Sequence, residues 1–187
     1  KEYTKMIKEE NQRMLKQVED VLRISQLERG TFKIEKKVIK LNDVIKLAIN
    51  HVSLIVKSRK GNINLNLNAE PDVIKGNVNH LTNVFINILD NAVKYSVDPP
   101  EITVNTFIAN NKIFTTIEDK GVGMDLKSQK LIFQKFYRAQ TGNIHDIKGH
   151  GLGLTYVKKI IQNHNGQINL KSKKGIGTKF EISIPIS

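Results

Sequence analysis

The sequence predicts an α+β fold, a two-layer α/β sandwich in which helices cover one face of a mostly antiparallel sheet, with a long helix at the N-terminus. Three observations carry this expectation. Apolar residues recur at helical spacing over 42–60, 78–95 and 151–164. They alternate at strand spacing in Ile63, Leu65 and Leu67 and in the paired runs 102–108 and 112–118. The chain has 187 residues, 39% of them hydrophobic, which suffices for one to one and a half domains with a buried core.

The elements follow in order. Residues 2–28 hold no Gly or Pro and are rich in Glu, Lys, Gln, Leu and Met, which favour helix. Ile7, Met14 and Val21 repeat at seven, flanked by Val18, Leu22 and Ile24. Such a stripe seeks a partner helix, and Gly30 ends it. Residues 31–41 read as extended, with Phe32 and Ile34 alternating. Asn42 is the expected N-cap of a helix that Gly61 closes. Val73–Lys75 is a second short strand. A helix follows from about Val78 to Tyr95. The strands at 102–108 and 112–118 form a hairpin through Asn110-Asn111. Residues 120–150 are a glycine-bearing polar connection with one amphipathic piece at Leu126–Phe136, and connections of this length are functional or mobile. A helix at 151–164 and strands at Gln167–Leu170 and Thr178–Ile184 complete the sandwich.

Composition excludes several function classes. There is no Cys, so no disulfide framework and no thiolate metal site. No apolar run reaches the roughly 18–20 residues of a membrane span. The chain begins at Lys1 without a signal-peptide pattern, which reads as an excised fragment; the lack of Cys fits a cytoplasmic compartment, and any membrane anchor of the parent protein would lie elsewhere. The net charge is +12, but its lysines and arginines, Lys57, Arg59 and Lys60 among them, are dispersed and read as a solvated face. Aromatic residues are 6% with no Trp, and none interleave with the basic ones, so no nucleic-acid partner is expected.

The chemistry-bearing residues fall into short motifs. Asn87 and Asn91 are four apart and share a helix face. The Asn91 carbonyl can meet Mg²⁺, which binds few protein oxygens and keeps company with phosphates. Lys94 is one turn further on, and Tyr95 carries a ring for a base or ribose; an Asn pair on a wet helix face is otherwise unremarkable. Asp119 ends an apolar strand before Gly121 and Gly123, where it is either a ligand acceptor or a plain Asx turn. Gly149, Gly151 and Gly153 open a helix, whose N-terminus can bind phosphate. This loop lacks the Gly-Lys-Ser/Thr of a Walker A sequence and the later acidic residue of a dinucleotide fingerprint. Gly175 and Gly177 are explained by a hairpin bulge. Phe133 and Phe136 are expected to anchor a lid. His51, His80, His145, His150 and His164 show no metal-ligand spacing, although His150 lies within the glycine loop.

In this order the motifs resemble those of the catalytic ATP-binding domain of sensor histidine kinases, within the gyrase/histidine-kinase/MutL superfamily. The resemblance covers about residues 40–187. Asn87–Tyr95 looks like the N box, Asp119–Gly123, Gly149–Leu154 and Gly175–Thr178 like three glycine boxes, and Phe133–Arg138 like the F box. The first helix, ending in Leu27-Glu28-Arg29-Gly30, resembles the second helix of the dimerization and phosphoacceptor domain. Residues 1–30 are thus implied to be a remnant of that domain and 31–187 the catalytic domain. No histidine here sits in a phosphoacceptor context, so self-phosphorylation is not expected.

What the resemblance implies is specific. Asn91 would hold Mg²⁺ with Asn87 assisting; Lys94 would contact phosphate; Tyr95 would lie against the nucleotide. Asp119 would accept the adenine amine, Gly121 and Gly123 would give the base room, and Thr178 would support it. Gly149, His150, Gly151, Leu152 and Gly153 would shape the phosphate nest, 124–150 the ATP lid, and Arg138 would touch the γ-phosphate. His150 stands where Thr or Ser is frequent. ATP and Mg²⁺ are the implied ligands. The implied partners are a response regulator, the phosphoacceptor domain and a second copy of the full-length protein. A hydrolase of the gyrase kind uses Glu where Asn87 stands, and an amide is no base. The remaining alternatives are a catalytically idle module of the same fold and a serine-directed kinase, against which the long N-terminal helix speaks.

Overall fold

The computed structural model describes residues 34–139 and 151–187, together with a scattered set between 3 and 25 that is helical. Gly30, the Leu27–Gly30 run, Phe32, His145, Gly149 and His150 lie outside the described residues. In the N-terminal set, Ile7, Met14, Val18, Val21 and Leu22 are exposed, as an apolar seam without its partner would be.

The elements are β1 (Lys37–Lys40), α1 (Leu41–Ser58), β2 (Asn62–Leu67), β3 (Val73–Gly76), α2 (Val78–Tyr95), β4 (Glu101–Ala109), β5 (Lys112–Asp119), α3 (Leu126–Leu131), α4 (Gly153–Asn163), β6 (Gln167–Lys173) and β7 (Gly177–Pro185). Five strands form one sheet in the order β2-β4-β5-β7-β6; β2 runs parallel to β4 and the other pairs are antiparallel. β1 and β3 make a separate antiparallel ribbon, which local alternation gives no means of foreseeing.

The core lies between the sheet and the helices. Ile102 and Val104 of β4, Ile113 and Ile117 of β5 and Phe180, Ile182 and Ile184 of β7 turn to one face and are buried. Against them pack Ile45, Ala48 and Val52 of α1, Leu81, Phe85, Ile88 and Leu89 of α2, and Val157, Ile160 and Ile161 of α4. Each large side chain so buried contributes roughly 1.5–3 kcal/mol. The other side of α2 is partly buried, and from it Asn91 and Tyr95 reach the site.

Several local expectations are corrected. Asn42 does not cap α1: the helix begins at Leu41, and its first N–H groups are met by Asp72, which accepts from Leu41 N–H on its carbonyl (2.8 Å) and from Asn42 N–H on its carboxylate (3.1 Å). A carboxylate there also complements the helix dipole. Asn42 instead bonds outward, donating to Ala69 O (3.3 Å) and accepting from Thr106 Oγ1 (3.0 Å). At the other end of α1 the left-handed residue is Lys60 (φ 56), with Gly61 N–H donating to Val56 O at 2.9 Å. Among the described residues of the 31–41 stretch, pairing runs over Lys37–Lys40, and the amphipathic piece is helical only over Leu126–Leu131. The Asn110-Asn111 turn is as expected, with both residues at positive φ (49 and 57), the conformation that suits a two-residue hairpin.

Candidate functional site

The C-terminal half of α2, the end of β5, the start of β7 and the start of α4 converge on one cleft of about 450 Å³. Of the residues singled out from sequence, Asn91, Tyr95, Asp119, Gly123 and Thr178 line it together. The helix supplies Asn91 and Tyr95 from one face because they are four apart. Asn77 secures the start of that helix, its side chain accepting His80 N–H at 3.1 Å.

Asp119 and Thr178 are partners in the β5–β7 register. Asp119 is 7% exposed and accepts two backbone N–H groups on Oδ1, from Gly121 at 2.8 Å and Thr178 at 3.3 Å. Burial pushes its carboxyl up to about 6, and the Glu118 charge adds to this; the two N–H donors pull the other way and lose. A buried carboxylate on a cleft wall, its second oxygen unclaimed by any hydrogen bond among the described residues, can accept from an exocyclic amine.

The turn after Asp119 is shaped by its glycines. Gly123 sits at φ +62, and a Cβ there would lie 2.0 Å from Lys173 O, so no side chain fits. Met124 N–H donates to Ser172 Oγ (2.8 Å), which itself donates to Gly177 O (2.8 Å) and lies 2.9 Å from Thr178 Oγ1. Ser172 therefore joins both walls of the cleft. It was missed from sequence, and the available signal was a polar residue at the position of β6 that continues the inward Ile168–Leu170 alternation. The apolar lining of Val122, Met124, Ile132, Leu154 and Phe180 was missed as well. Phe180 could have been found two residues on from Thr178, on the same strand face. A wider cleft of about 860 Å³ adjoins the first, sharing Val122, Gly123 and Met124 and adding Gly121, Asp125 and Lys174.

Other predicted residues lie at or beyond the rim. Asn87 donates from Nδ2 to Asn83 O at 2.8 Å, and its Oδ1 abuts Gly153, where a Cβ would come within 2.5 Å; it holds α2 against α4 and does not line the cleft. Lys94 is half-exposed, 3.9 Å from Asp90, an ion pair of small energetic weight. Arg138 is exposed and outside the cleft lining. Leu152 is the N-cap of α4 without a side-chain bond, and its own side chain is buried, so only its backbone is available to a ligand.

Gly151 takes φ +68 and accepts Phe136 N–H at 3.0 Å, which ties the described parts of the 120–150 connection to the start of α4. Phe133 does anchor this region: it packs on the core and its carbonyl accepts Thr155 Oγ1 at 3.1 Å. Phe136 does not; it is exposed at φ +62. Of the histidines, His80 pairs with Tyr156 OH (2.8 Å) and His164 uses both ring nitrogens, the satisfied roles read from sequence.

Among the described residues no group of three or more His, Cys, Asp or Glu could hold a metal, and no helix is long and apolar enough to cross a membrane. The donor set suits a cation that arrives with phosphates: one amide oxygen, Asn91, near the capless N-terminus of α4.

The family profile "Histidine kinase-, DNA gyrase B-, and HSP90-like ATPase" matches residues 76–187. Sensor protein RprX of Bacteroides fragilis is 42% identical over 183 residues, 97% of this chain and 35% of RprX. The solved structure of full-length ShkA in complex with AMPPNP superposes over 99% of this chain and 38% of its own, with a TM-score of 0.85 at 19% identity. Histidine kinase ThkA, solved with response regulator protein TrrA, covers 100% of this chain and 51% of its own, with a TM-score of 0.78 at 19% identity. These two structures speak to the fold. The chain spans about a third of the length of the relatives it matches in sequence.

Proposed function

The chain belongs to the histidine kinase-, DNA gyrase B- and HSP90-like ATPase family, and from that premise we propose that it is the catalytic ATP-binding domain of a two-component sensor histidine kinase. It would transfer the γ-phosphoryl group of ATP to a histidine ring nitrogen outside these residues, from which the group passes to an aspartate of a response regulator. The carrying observation is the single cleft that joins Asn91, Tyr95, Asp119, Gly123 and Thr178.

In this reading the buried Asp119 carboxylate accepts the adenine 6-amino group, and Gly123 leaves the base space against the β6 end. Tyr95 lies along the nucleotide, and the α4 N-terminus with Gly151 and Gly153 faces phosphate. Asn91 would hold Mg²⁺, with Asn87 beside it; the ion neutralises phosphate charge. Lys94 and Arg138, which lie outside the cleft lining, would supply cationic contacts to phosphate. Phosphoryl transfer asks mainly for positioning and charge neutralisation, and this set supplies both. Nothing in the cleft favours the idle reading, and Asn87 at the position of a hydrolytic Glu speaks against water as acceptor.

The relatives' names support the wider assignment. We assign residues 1–30 to the second helix of a dimerization and phosphoacceptor domain, and the chain to the cytoplasmic part of a membrane-anchored homodimeric sensor. The test is transfer in trans: this chain, γ-labelled ATP and a separately made phosphoacceptor helical domain of the parent protein. Acid-labile, base-stable label on an acceptor histidine is expected. Release of inorganic phosphate with an unlabelled acceptor would refute the kinase reading.

A further inference from the structure

Arg59 lies in the Lys57–Lys60 run that reads from sequence as a solvated basic face. Lys57 and Lys60 are exposed, but Arg59 is turned inward, its side chain 29% exposed. Its guanidinium spans the C-terminal end of α2. Nη1 donates to Val93 O at 2.5 Å, Nη2 to Ser96 O at 3.3 Å, and Nε to Asp98 Oδ1 at 2.6 Å. The last carbonyls of a helix lack intrahelical partners and carry the negative end of its dipole, so a forked cation is well matched to them.

The same turn is tied to the cleft from its other side. Tyr95 stands between the two carbonyls that Arg59 holds, and Tyr95 O accepts Val122 N–H at 2.9 Å. Ser96 bridges to Gly121, whose N–H reaches Asp119 Oδ1 at 2.8 Å. Ser96 Oγ donates back to Ala92 O at 2.6 Å, which keeps the turn compact. The end of α2 is thus gripped between Arg59 and the Gly121–Val122 turn. Arg59 itself does not line the cleft.

We propose that Arg59 is a positioning residue for the base-binding end of the cleft. It fixes the end of α2, and through it the Tyr95 ring and the turn that orients the Asp119 carboxylate. A lysine in its place offers three donors from a single nitrogen and lacks the fixed fork that serves the Val93 and Ser96 carbonyls from two nitrogens. This inference rests on the nucleotide reading given above.

The experiment compares base selectivity in the whole chain for wild type, Arg59→Ala, Arg59→Gln and Arg59→Lys. Calorimetric affinities are measured for ADP and for inosine diphosphate, whose base presents an oxygen where adenine presents the 6-amino group. Denaturant unfolding is recorded alongside. Loss of a charged grip on the turn is expected to lower the ADP-to-IDP affinity ratio roughly tenfold in Arg59→Ala and Arg59→Gln, and less in Arg59→Lys. Affinity for IDP should stay within about twofold, since its phosphates meet other elements. A lower unfolding midpoint with an unchanged ratio would make Arg59 a purely structural brace and overturn the proposal. An equal loss for both nucleotides would do the same. Failure of wild type to bind either nucleotide would instead remove the nucleotide reading, and the proposal with it.

Discussion

Thr178 donates its backbone N–H to Asp119 Oδ1 at 3.3 Å, across a strand pair that places the two residues opposite each other. The bond joins the end of β5 to the start of β7 and holds a carboxylate where water is scarce. Burial outweighs this donor and Gly121, and the carboxyl titrates near 6 instead of 3.8. A group kept for binding is thereby costly to the unliganded fold.

The first prediction is a stability effect. Between about pH 4 and 6 the folded protein keeps a proton on Asp119 that the unfolded chain has released. Stability of the unliganded protein therefore falls as pH rises through that window. Above it the ionised group costs on the order of 2–3 kcal/mol. Asp119→Asn, which can still accept both N–H groups, should raise stability by roughly 1–3 kcal/mol at pH 7.5 and by little at pH 4. Urea unfolding at the two pH values checks this; a variant no more stable than wild type at pH 7.5 would remove the desolvation argument.

The second concerns ligand binding. The ionised carboxylate accepts an amine proton far more strongly than the neutral acid, so adenosine, which carries no titrating phosphate, should bind more weakly at pH 5 than at pH 7, by up to about tenfold. Asp119→Asn should bind weakly at both. Equal wild-type affinity at the two pH values would place the base away from Asp119.

Gly123 gives a third. At φ +62, with Lys173 O 2.0 Å from any Cβ, Gly123→Ala must shift the turn. A cost of at least about 2 kcal/mol in unfolding free energy is expected, with weakened ADP binding. A variant with wild-type stability and affinity would show that the turn is not held against β6.

A fourth follows from His164, whose Nε2 accepts Asn77 N–H at 3.1 Å while Nδ1 lies 2.7 Å from Ile160 O, joining the end of α4 to the cap of α2. Both bonds suit the neutral ring. Burial, then the nearby Lys36 and His80, hold its pKa below 6.5, against the Ile160 carbonyl. The folded protein thus binds fewer protons than the unfolded chain below pH 6.5, so this contribution is present above that value and declines as pH falls. It opposes the Asp119 effect, so the clean background is Asp119→Asn. There, stability should drop from pH 7.5 to 5.5 through this residue, and His164→Gln should remove that part of the slope. An unchanged pH slope in His164→Gln would contradict it.

These residues show which parts of the molecule were legible in the sequence. Asn87 and Asn91 could be placed on one helix because helical spacing is local, although the cleft takes Asn91 with Tyr95, and Asn110-Asn111 could be assigned to a turn because both residues tolerate positive φ. The alternation that revealed β2 says nothing about its neighbour, so its parallel pairing with β4 was not readable. Asp72 caps α1 from thirty residues away, a match that exists only once the chain has folded. Ser172 and Arg59 escaped for the same reason: each acts through backbone groups of a distant segment, and a hydroxyl or guanidinium carries no local mark of its acceptor. Asn87 was legible as part of a motif, but its packing on Gly153 was not.

The central claim is a nucleotide cleft with Asn91 at its metal end, and calorimetric titration of this chain with ADP, with and without Mg²⁺, tests it most directly. The account predicts saturable binding at micromolar to submillimolar Kd, about −5 to −8 kcal/mol, strengthened by Mg²⁺ in wild type and not in Asn91→Ala. No binding at millimolar ADP, or a Mg²⁺ effect that survives Asn91→Ala, would contradict it.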